Sequence, residues 1–401
     1  MPTPAMSSAK QVPAVVLGTG ITALGVIRIL GRQNIESCFI SDRSDYAKRS
    51  RWADPLALNV DPLLTPDELA AILEPLPLDR AVLFPCSDTF LKAVINLPDR
   101  LGSRFLTSLP HPETLDILVN KGKFSLTLLE AGIPHPETHI IDSADKLKAL
   151  GTQHFKNQFL KPFHSKPFQL EFHVKAFRVN SLEDALRKFA KTQEVNQPMM
   201  LQEYIPGPSN RHYFVDGFID REGEIRALFP RRRERIYPPD FGNSSYCVSI
   251  PPAEASQALE SVRKLIKHIG FRGIFSAEFK LDERDNQFKI LEVNARPWWY
   301  IDFAYQCGVD TCRMAYRDAL GLPVESVVTY DEGVGCMYTP DDFRAAFRMF
   351  IRRELSVFTW MKQFFTAKKP IFSRDDPLPA VHNTVSLPFR LFKRKSRESK
   401  S

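Results

Sequence analysis

Two carboxylates and an amide stand close together in the stretch "AEFKLDERDNQFKILEVNARP", at Glu278, Glu292 and Asn294. Apolar and polar residues alternate from Ala277 to Leu281 and again from Phe288 to Asn294, the period of two that marks strands, so the stretch reads as a hairpin. Placing Glu278 opposite Glu292 sets Asp282 opposite Phe288 and leaves Glu283 to Gln287 as the connection, a length that hairpins use. Side chains two apart share a face, which brings Glu278, Glu292 and Asn294 together. Two like charges there repel unless a cation joins them. A hard divalent ion suits an all-oxygen set, and Mg²⁺ suits it best, because it takes few carboxylates and completes its octahedron with water and nucleotide phosphates. Mn²⁺ is the alternative. A solvated strand face on which Asn294 opens a turn has the same pattern, so the flanking sequence must decide.

The elements that would position this hairpin fall into three segments. The first opens with the apolar strand "AVVLGTG", a helical pattern from Thr22 to Leu30 and the strand "SCFISD", followed by "AVLFPCSD". Alternating strands and helices imply a parallel sheet covered by helices. Gly18, Gly20 and Ala23 fit the spacing of a dinucleotide-binding turn, with Asp42 at the end of the next strand where a ribose acid would sit. Glycines at a strand-to-helix turn are equally required for close packing, and packing is the reading preferred here. Asp88 leaves its strand at the ligand side of such a sheet, as a substrate-orienting group or as a helix cap.

In the second segment Lys121 and Lys123 open an amphipathic helix that stops at Gly132, with Pro134 beyond. "FLKPF" is a strand carrying Lys161, and "MMLQEYIPG" is a strand running into a turn at Gly207. A hairpin around Arg221 to Gly223 leads into "RRRER" at 231–235. Strands and helices without a strict βαβ repeat indicate an α+β domain. The third segment, from about Asp331, places Phe343, Phe347, Phe350 and Ile351 at helical spacing with basic residues between. A helix packed on the core is the default reading, and a basic amphipathic helix resting on a membrane is the sharper one.

At 401 residues the chain is long enough for two or three domains, and 43% hydrophobic with 25% charged residues is a soluble globular composition. No apolar run is long enough for a membrane span and the N-terminal residues lack the order of a signal peptide, so a cytoplasmic location is expected. The six cysteines are scattered without a CxxC, which argues against a zinc site or a disulfide framework. The net charge of +7 is concentrated in "RRRER" and in "RLFKRKSRESK" near the C-terminus. Phosphate-bearing ligands suit that excess, and peripheral membrane contact through the basic C-terminal segment is the minority reading. No nucleic-acid partner is expected.

Taken in order, Asn120-Lys121 with "AGIPHPET", "LKP", "QEYIPGP", the arginine-rich strand end, "SAEFK" and "LEVNARPW" resemble the ATP-grasp ligases over roughly residues 12–325. The look is nearest to the carboxylate–amine branch that contains D-aspartate ligase. The resemblance implies an α/β plus α+β architecture: an N-terminal Rossmann-like domain that precedes the grasp fold (1–118), an ATP-grasp domain of two α+β subdomains (119–325), and a C-terminal helical extension with a basic tail (326–401). It implies ATP as cofactor with Mg²⁺ held by Glu278, Glu292 and Asn294. Lys121 and Lys161 would reach phosphates, Gln202, Glu203, Tyr204 and Ile205 would hold adenine at a hinge, and Ser209 would lie toward the ribose. One of Arg231, Arg232 and Arg233 would face the terminal phosphate, Arg232 and Arg233 being the assigned pair, and Arg296 would meet the charge that develops in transfer. His212 could bind a substrate carboxylate. Two departures from the pattern stand out: the loop after Lys161 has no glycine, leaving Lys166 or Lys175 to compensate, and Ser209 or Asn210 stands where many relatives place a carboxylate.

The chemistry implied is ATP-dependent activation of a small-molecule carboxylate as an acyl phosphate, with release of ADP, and its coupling to an amine. A bicarbonate-using carboxylase shares the same grip. An NAD-dependent oxidoreductase rests only on Gly18, Gly20 and Asp42, and a non-catalytic nucleotide-binding protein would carry the same motifs.

Overall fold

The computed structural model describes residues 11–41, 45–57, 64–163, 168, 171–193, 198–239 and 242–385. Asp42, Lys166 and the basic run 390–400 lie outside the described residues. The N-terminal sheet has the order β3-β2-β1-β4-β5, with β1 Ala14–Leu17, β2 Ser37–Ser41, β3 Ala53–Ala57, β4 Ala81–Pro85 and β5 Phe105–Leu106, and every pairing is parallel. Strands β1 and β4 are buried along their whole length, as the continuous apolar runs require of a sheet covered on both faces. Helix α1 (Gly20–Gly31) follows β1 and is buried from Ile21 to Gly31. A Cβ on Gly18 would stand 2.7 Å from that of Cys86, and its φ of +149° suits glycine. The N–H of Gly20 donates to the Asp45 carboxylate at 2.7 Å. The chain's own anion thus occupies the helix N-terminus that a pyrophosphate would need, in keeping with the packing reading of these glycines.

Helix α2 (Lys121–Glu130) begins on Asn120, whose Oδ1 accepts from the N–H groups of Gly122 and Lys123 at 3.0 and 3.1 Å. Beyond it lies a small antiparallel sheet of order β6-β9-β7-β8, from β6 Thr138–Ile141, β7 Gln158–Pro162, β8 Phe177–Val179 and β9 Met199–Glu203. Ile141, Leu160 and Leu201 of this sheet form a core of their own with Leu147, Phe155 and Phe189 from the helical segments packed on it.

The central sheet is antiparallel with order β14-β13-β10-β11-β12-β15, built from β10 His212–Ile219, β11 Ile225–Tyr237, β12 Asn243–Ser249, β13 Gly273–Asp282, β14 Gln287–Asn294 and β15 Gly335–Met337. Glu278 does pair with Glu292, but the register shifts after it, so that Phe279 faces Ile290 and Leu291 is the extra residue of a β-bulge. Asp282 consequently faces Gln287 rather than Phe288, and the connection is one residue shorter than the even alternation suggests.

The C-terminal segment is more than helices. Strand β15 closes the edge of the central sheet, and helix α3 (Thr339–Ile351) lies over β11 and β12, followed by α4 (Val357–Thr366). Buried Asp342 at the start of α3 accepts from Arg235 at 2.8 and 3.0 Å, from Ser245 at 3.1 Å and from the indole of Trp360 at 2.9 Å. Further on, fully buried Arg28 of α1 donates to the Asp376 carboxylate at 3.0 Å and to the carbonyls of Pro370, Ile371 and Asp376.

Candidate active site

The small sheet, the central sheet and α3 enclose a cleft with two connected chambers. The larger, of about 630 Å³, is lined by Phe159, Gln202 to Ile205, Ser209, Lys280, and, from α3 and its exit, Ala345, Arg348, Met349, Arg352 and Glu354. The smaller, of about 250 Å³, holds Lys121, Lys175, Arg233, Glu278 and Glu292. Lys161, Gln202, His212 and Leu291 line both and join them.

At the hinge end, Tyr204 packs edge-on against Phe159 with ring centroids 5.5 Å apart, and Lys280 donates to the Gly207 carbonyl at 2.9 Å. Gly207 has a φ of +116°, a conformation that favours glycine. The Glu203 side chain meets Arg284 at 2.5 Å, and its N–H donates to the Glu137 carbonyl. Ile205 is buried, yet among the described residues its N–H has no partner. A buried unpaired N–H is costly. A ligand acceptor entering the larger chamber would satisfy it. Ser209 Oγ donates to the Glu234 carbonyl at 3.2 Å.

At the other end, strand alternation on β10, β11 and β13 sorts the charged residues by face. His212, Arg233 and Glu278 share one face: Glu278 Oε1 accepts from Arg233 at 3.2 Å and lies 3.0 Å from His212 Nδ1. Burial works against the Glu278 carboxylate, but Arg233 and the His212 hydrogen bond outweigh it and hold its pKa at about 2. Burial lowers His212 to about 4 despite Glu278, so the ring is neutral at pH 7. Lys161 donates to Gln202 Oε1 at 2.6 Å. Burial, reinforced by the nearby Lys121 charge, pulls its pKa down to about 7. Lys121 is also lowered, by burial first, with Glu292 opposing. Asn294 Nδ2 donates to Glu292 Oε1 at 3.2 Å.

Most of the residues singled out in the sequence therefore converge: Lys121, Lys161, Gln202, Glu203, Tyr204, Ile205, Ser209, Arg233, Glu278 and Glu292 all line the cleft. Arg232 does not. It points to the opposite face of β11, where it pairs with Glu234 and Glu254, because successive strand residues face opposite ways. Arg231 shares the face of Arg233 but is buried against Asp216 at 2.6 Å and stacked on Phe214. Asn294 and Arg296 lie beside the smaller chamber rather than in its lining, and Arg296 is clamped by Asp88 at 2.6 Å and touches Asn294 Oδ1 at 3.3 Å. Ser87, not Asp88, caps the helix Asp88–Ile95. The sequence reading missed the wall contributed by α3, although Arg348 and Arg352 are spaced to share one helix face. A separate cluster, Glu137, His139 and His154, brings three donor atoms within 4.8 Å on the partly exposed β6 side, where they already pair with one another.

Residues 195–339 match the family model described as "ATP-grasp in the biosynthetic pathway with Ter operon". The chain is 23% identical over 249 residues to the D-aspartate ligase of Enterococcus faecium, covering 60% of this chain and 58% of that one. It is 23% identical over 185 residues to a D-alanine–D-alanine ligase of Wolbachia pipientis, covering 45% and 56% respectively. The chain thus matches between half and two thirds of the length of these curated relatives. The biotin carboxylase domain of Hydrogenobacter thermophilus 2-oxoglutarate carboxylase, solved with MgADP and bicarbonate, superposes with a TM-score of 0.65 at 18% identity, over 81% of this chain and 74% of that one. The three-sheet architecture, the ordered motifs and these likenesses agree: the chain has an ATP-grasp fold, and its residues 195–339 match an ATP-grasp family model.

Proposed function

We propose that the chain is an ADP-forming ligase that couples a small-molecule carboxylate to an amine. The observation that carries this is one cleft with the Ile205 N–H, which has no partner among the described residues, at one end and the opposed carboxylates Glu278 and Glu292, faced by Lys121 and Lys161, at the other. In this reading ATP lies along the cleft, its adenine against Tyr204 and Ile205 and its phosphates toward the lysines and Arg233. The oxygen donors Glu278, Glu292 and Asn294 fit Mg²⁺ or Mn²⁺, and both protein contacts to Glu278 fall on Oε1. Bound there, the ion would offset charge on the transferring phosphoryl group. Arg233 replaces Arg232 as the guanidinium for the terminal phosphate, while Arg296, fixed by Asp88, orients Asn294 and faces the acceptor side.

The substrate carboxylate attacks the γ-phosphorus and the bond to the β,γ-bridging oxygen breaks, releasing ADP. The amine then attacks the acyl carbon and phosphate leaves. Positioning and charge neutralisation supply most of the acceleration in such a transfer. The small sheet, with its own core, is the lid that would exclude water from the acyl phosphate. The domain limits 1–118, 119–325 and 326–401 belong to this proposal, with β15 of the last segment completing the central sheet.

ADP release across a panel of carboxylates and amines tests the reading. Turnover should require both substrates and a divalent cation, and Glu292→Gln should abolish it without loss of fold. Sustained ADP release with bicarbonate and no amine would assign a carboxylase instead, and unchanged turnover in Glu292→Gln would remove the metal assignment.

A further inference from the structure

Helix α3 buries the wrong residues for an ordinary amphipathic helix. Its inward face carries Asp342, Ala345 and Ala346, whereas Phe343, Phe347 and Ile351 are 55%, 55% and 69% exposed. On α4, Phe358, Met361 and Phe365 are 83%, 39% and 74% exposed. The two helices are joined by Trp360, whose ring meets the edges of Phe343 and Phe350 and leaves Phe343 half exposed. An apolar stripe on each helix is left uncovered, and contiguous exposed apolar surface of this kind marks an interaction site. Arg353, just past α3, and Lys362 on α4 are exposed beside these stripes, while Arg348, Arg352 and Glu354 line the larger chamber. Asp342 is neutralised by Arg235 and Asp341 is paired with Arg344.

We propose that the α3–α4 hairpin docks the chain on an anionic lipid bilayer. Aromatic and aliphatic side chains flanked by arginine and lysine suit the boundary between headgroups and acyl chains. A second copy of the chain is disfavoured as occupant, because a self-complementary contact would bring Arg353 and Lys362 of one copy against those of the other. The helices have 13 and 10 residues, too short to cross the hydrocarbon, and no described helix is long and apolar enough to do so. Docking is therefore interfacial. It does not depend on the ligase reading.

The test is co-sedimentation of the full chain with phosphatidylcholine vesicles, with and without phosphatidylglycerol, at low and high salt. Partition to anionic vesicles should be roughly thirtyfold stronger than to neutral ones, and high salt should weaken it. Combining F347S, F358S and F365S should lower it at least about tenfold, as should R353Q with K362Q. Hydrogen exchange on the unaltered protein should slow across residues 343–365 when anionic vesicles are added, a readout that needs no variant. Absence of binding to anionic vesicles overturns the proposal, whether the protein is then a monomer or a dimer that the serine variant dissociates. Unchanged binding by the serine variant overturns it too, since basic residues elsewhere would then be responsible.

Discussion

Lys161 sits where the two chambers meet, with its pKa lowered to about 7 by burial and by Lys121. The negative charge of a polyphosphate placed beside it opposes both causes and favours the ammonium. In the proposed complex the bound state therefore holds more protons than the free state from about pH 7 upward, and nucleotide affinity falls as pH rises through that window. Calorimetric titration of nucleotide in two buffers of different ionisation enthalpy should report proton uptake near pH 8. Absence of uptake there would mean that Lys161 does not meet phosphate. The arginines separate just as cleanly. Arg233→Lys should lower turnover by roughly 10²–10³, the loss of one preorganised donor, because a lysine cannot hold both Ser244 and the phosphate. Arg232→Lys should leave steady-state rates within about twofold, its partners being Glu234 and Glu254 and its side chain lining neither chamber. Equal losses in both variants would show that the strand face has been misassigned.

Each strand of the β13–β14 hairpin was readable, because alternation is a property of a few neighbouring residues; the opposed Glu278 and Glu292 followed from it. The bulge at Leu291 was not, since nothing in the local pattern says which residue the partner strand skips. Helix α2 was legible from Asn120 to Gly132 for the same local reason. The clamp of Arg296 by Asp88 joins residues 208 apart in sequence, and that of Arg28 by Asp376 joins residues 348 apart, so no window of sequence contains either. Helix α3 was read by its aromatic spacing alone, and its inward face was lost behind that signal. Asp342 is the residue that fixes it to the sheet. Asp342→Ala would leave the Arg235 guanidinium buried without its carboxylate, which commonly costs about 3–5 kcal/mol. Denaturant unfolding should show that loss, and a variant as stable as the parent would mean that α3 is held by packing alone.

At the scale of the whole molecule, the small sheet has, among the described residues, a buried cluster separate from the others, and in the proposed function it is the lid. It should respond to nucleotide as a unit. Hydrogen exchange with ATP analogues should slow together across β7, β9 and the hinge, while the parallel sheet stays unchanged; slowing confined to residues 202–205 would argue for a fixed lid. Gly207→Val forces a β-branched side chain into a φ of +116° and should reduce turnover more than it reduces the melting temperature. Helix α3 faces three ways: to the sheet through Asp342, to the larger chamber through Ala345, Arg348 and Arg352, and outward through Phe343 and Phe347. A rigid element shared by two binding surfaces makes their equilibria a matter of linkage. Whatever factor a bilayer on the outer face imposes on nucleotide affinity, nucleotide in the cleft must impose on bilayer affinity, so a loaded and an empty chain would divide differently between water and membrane.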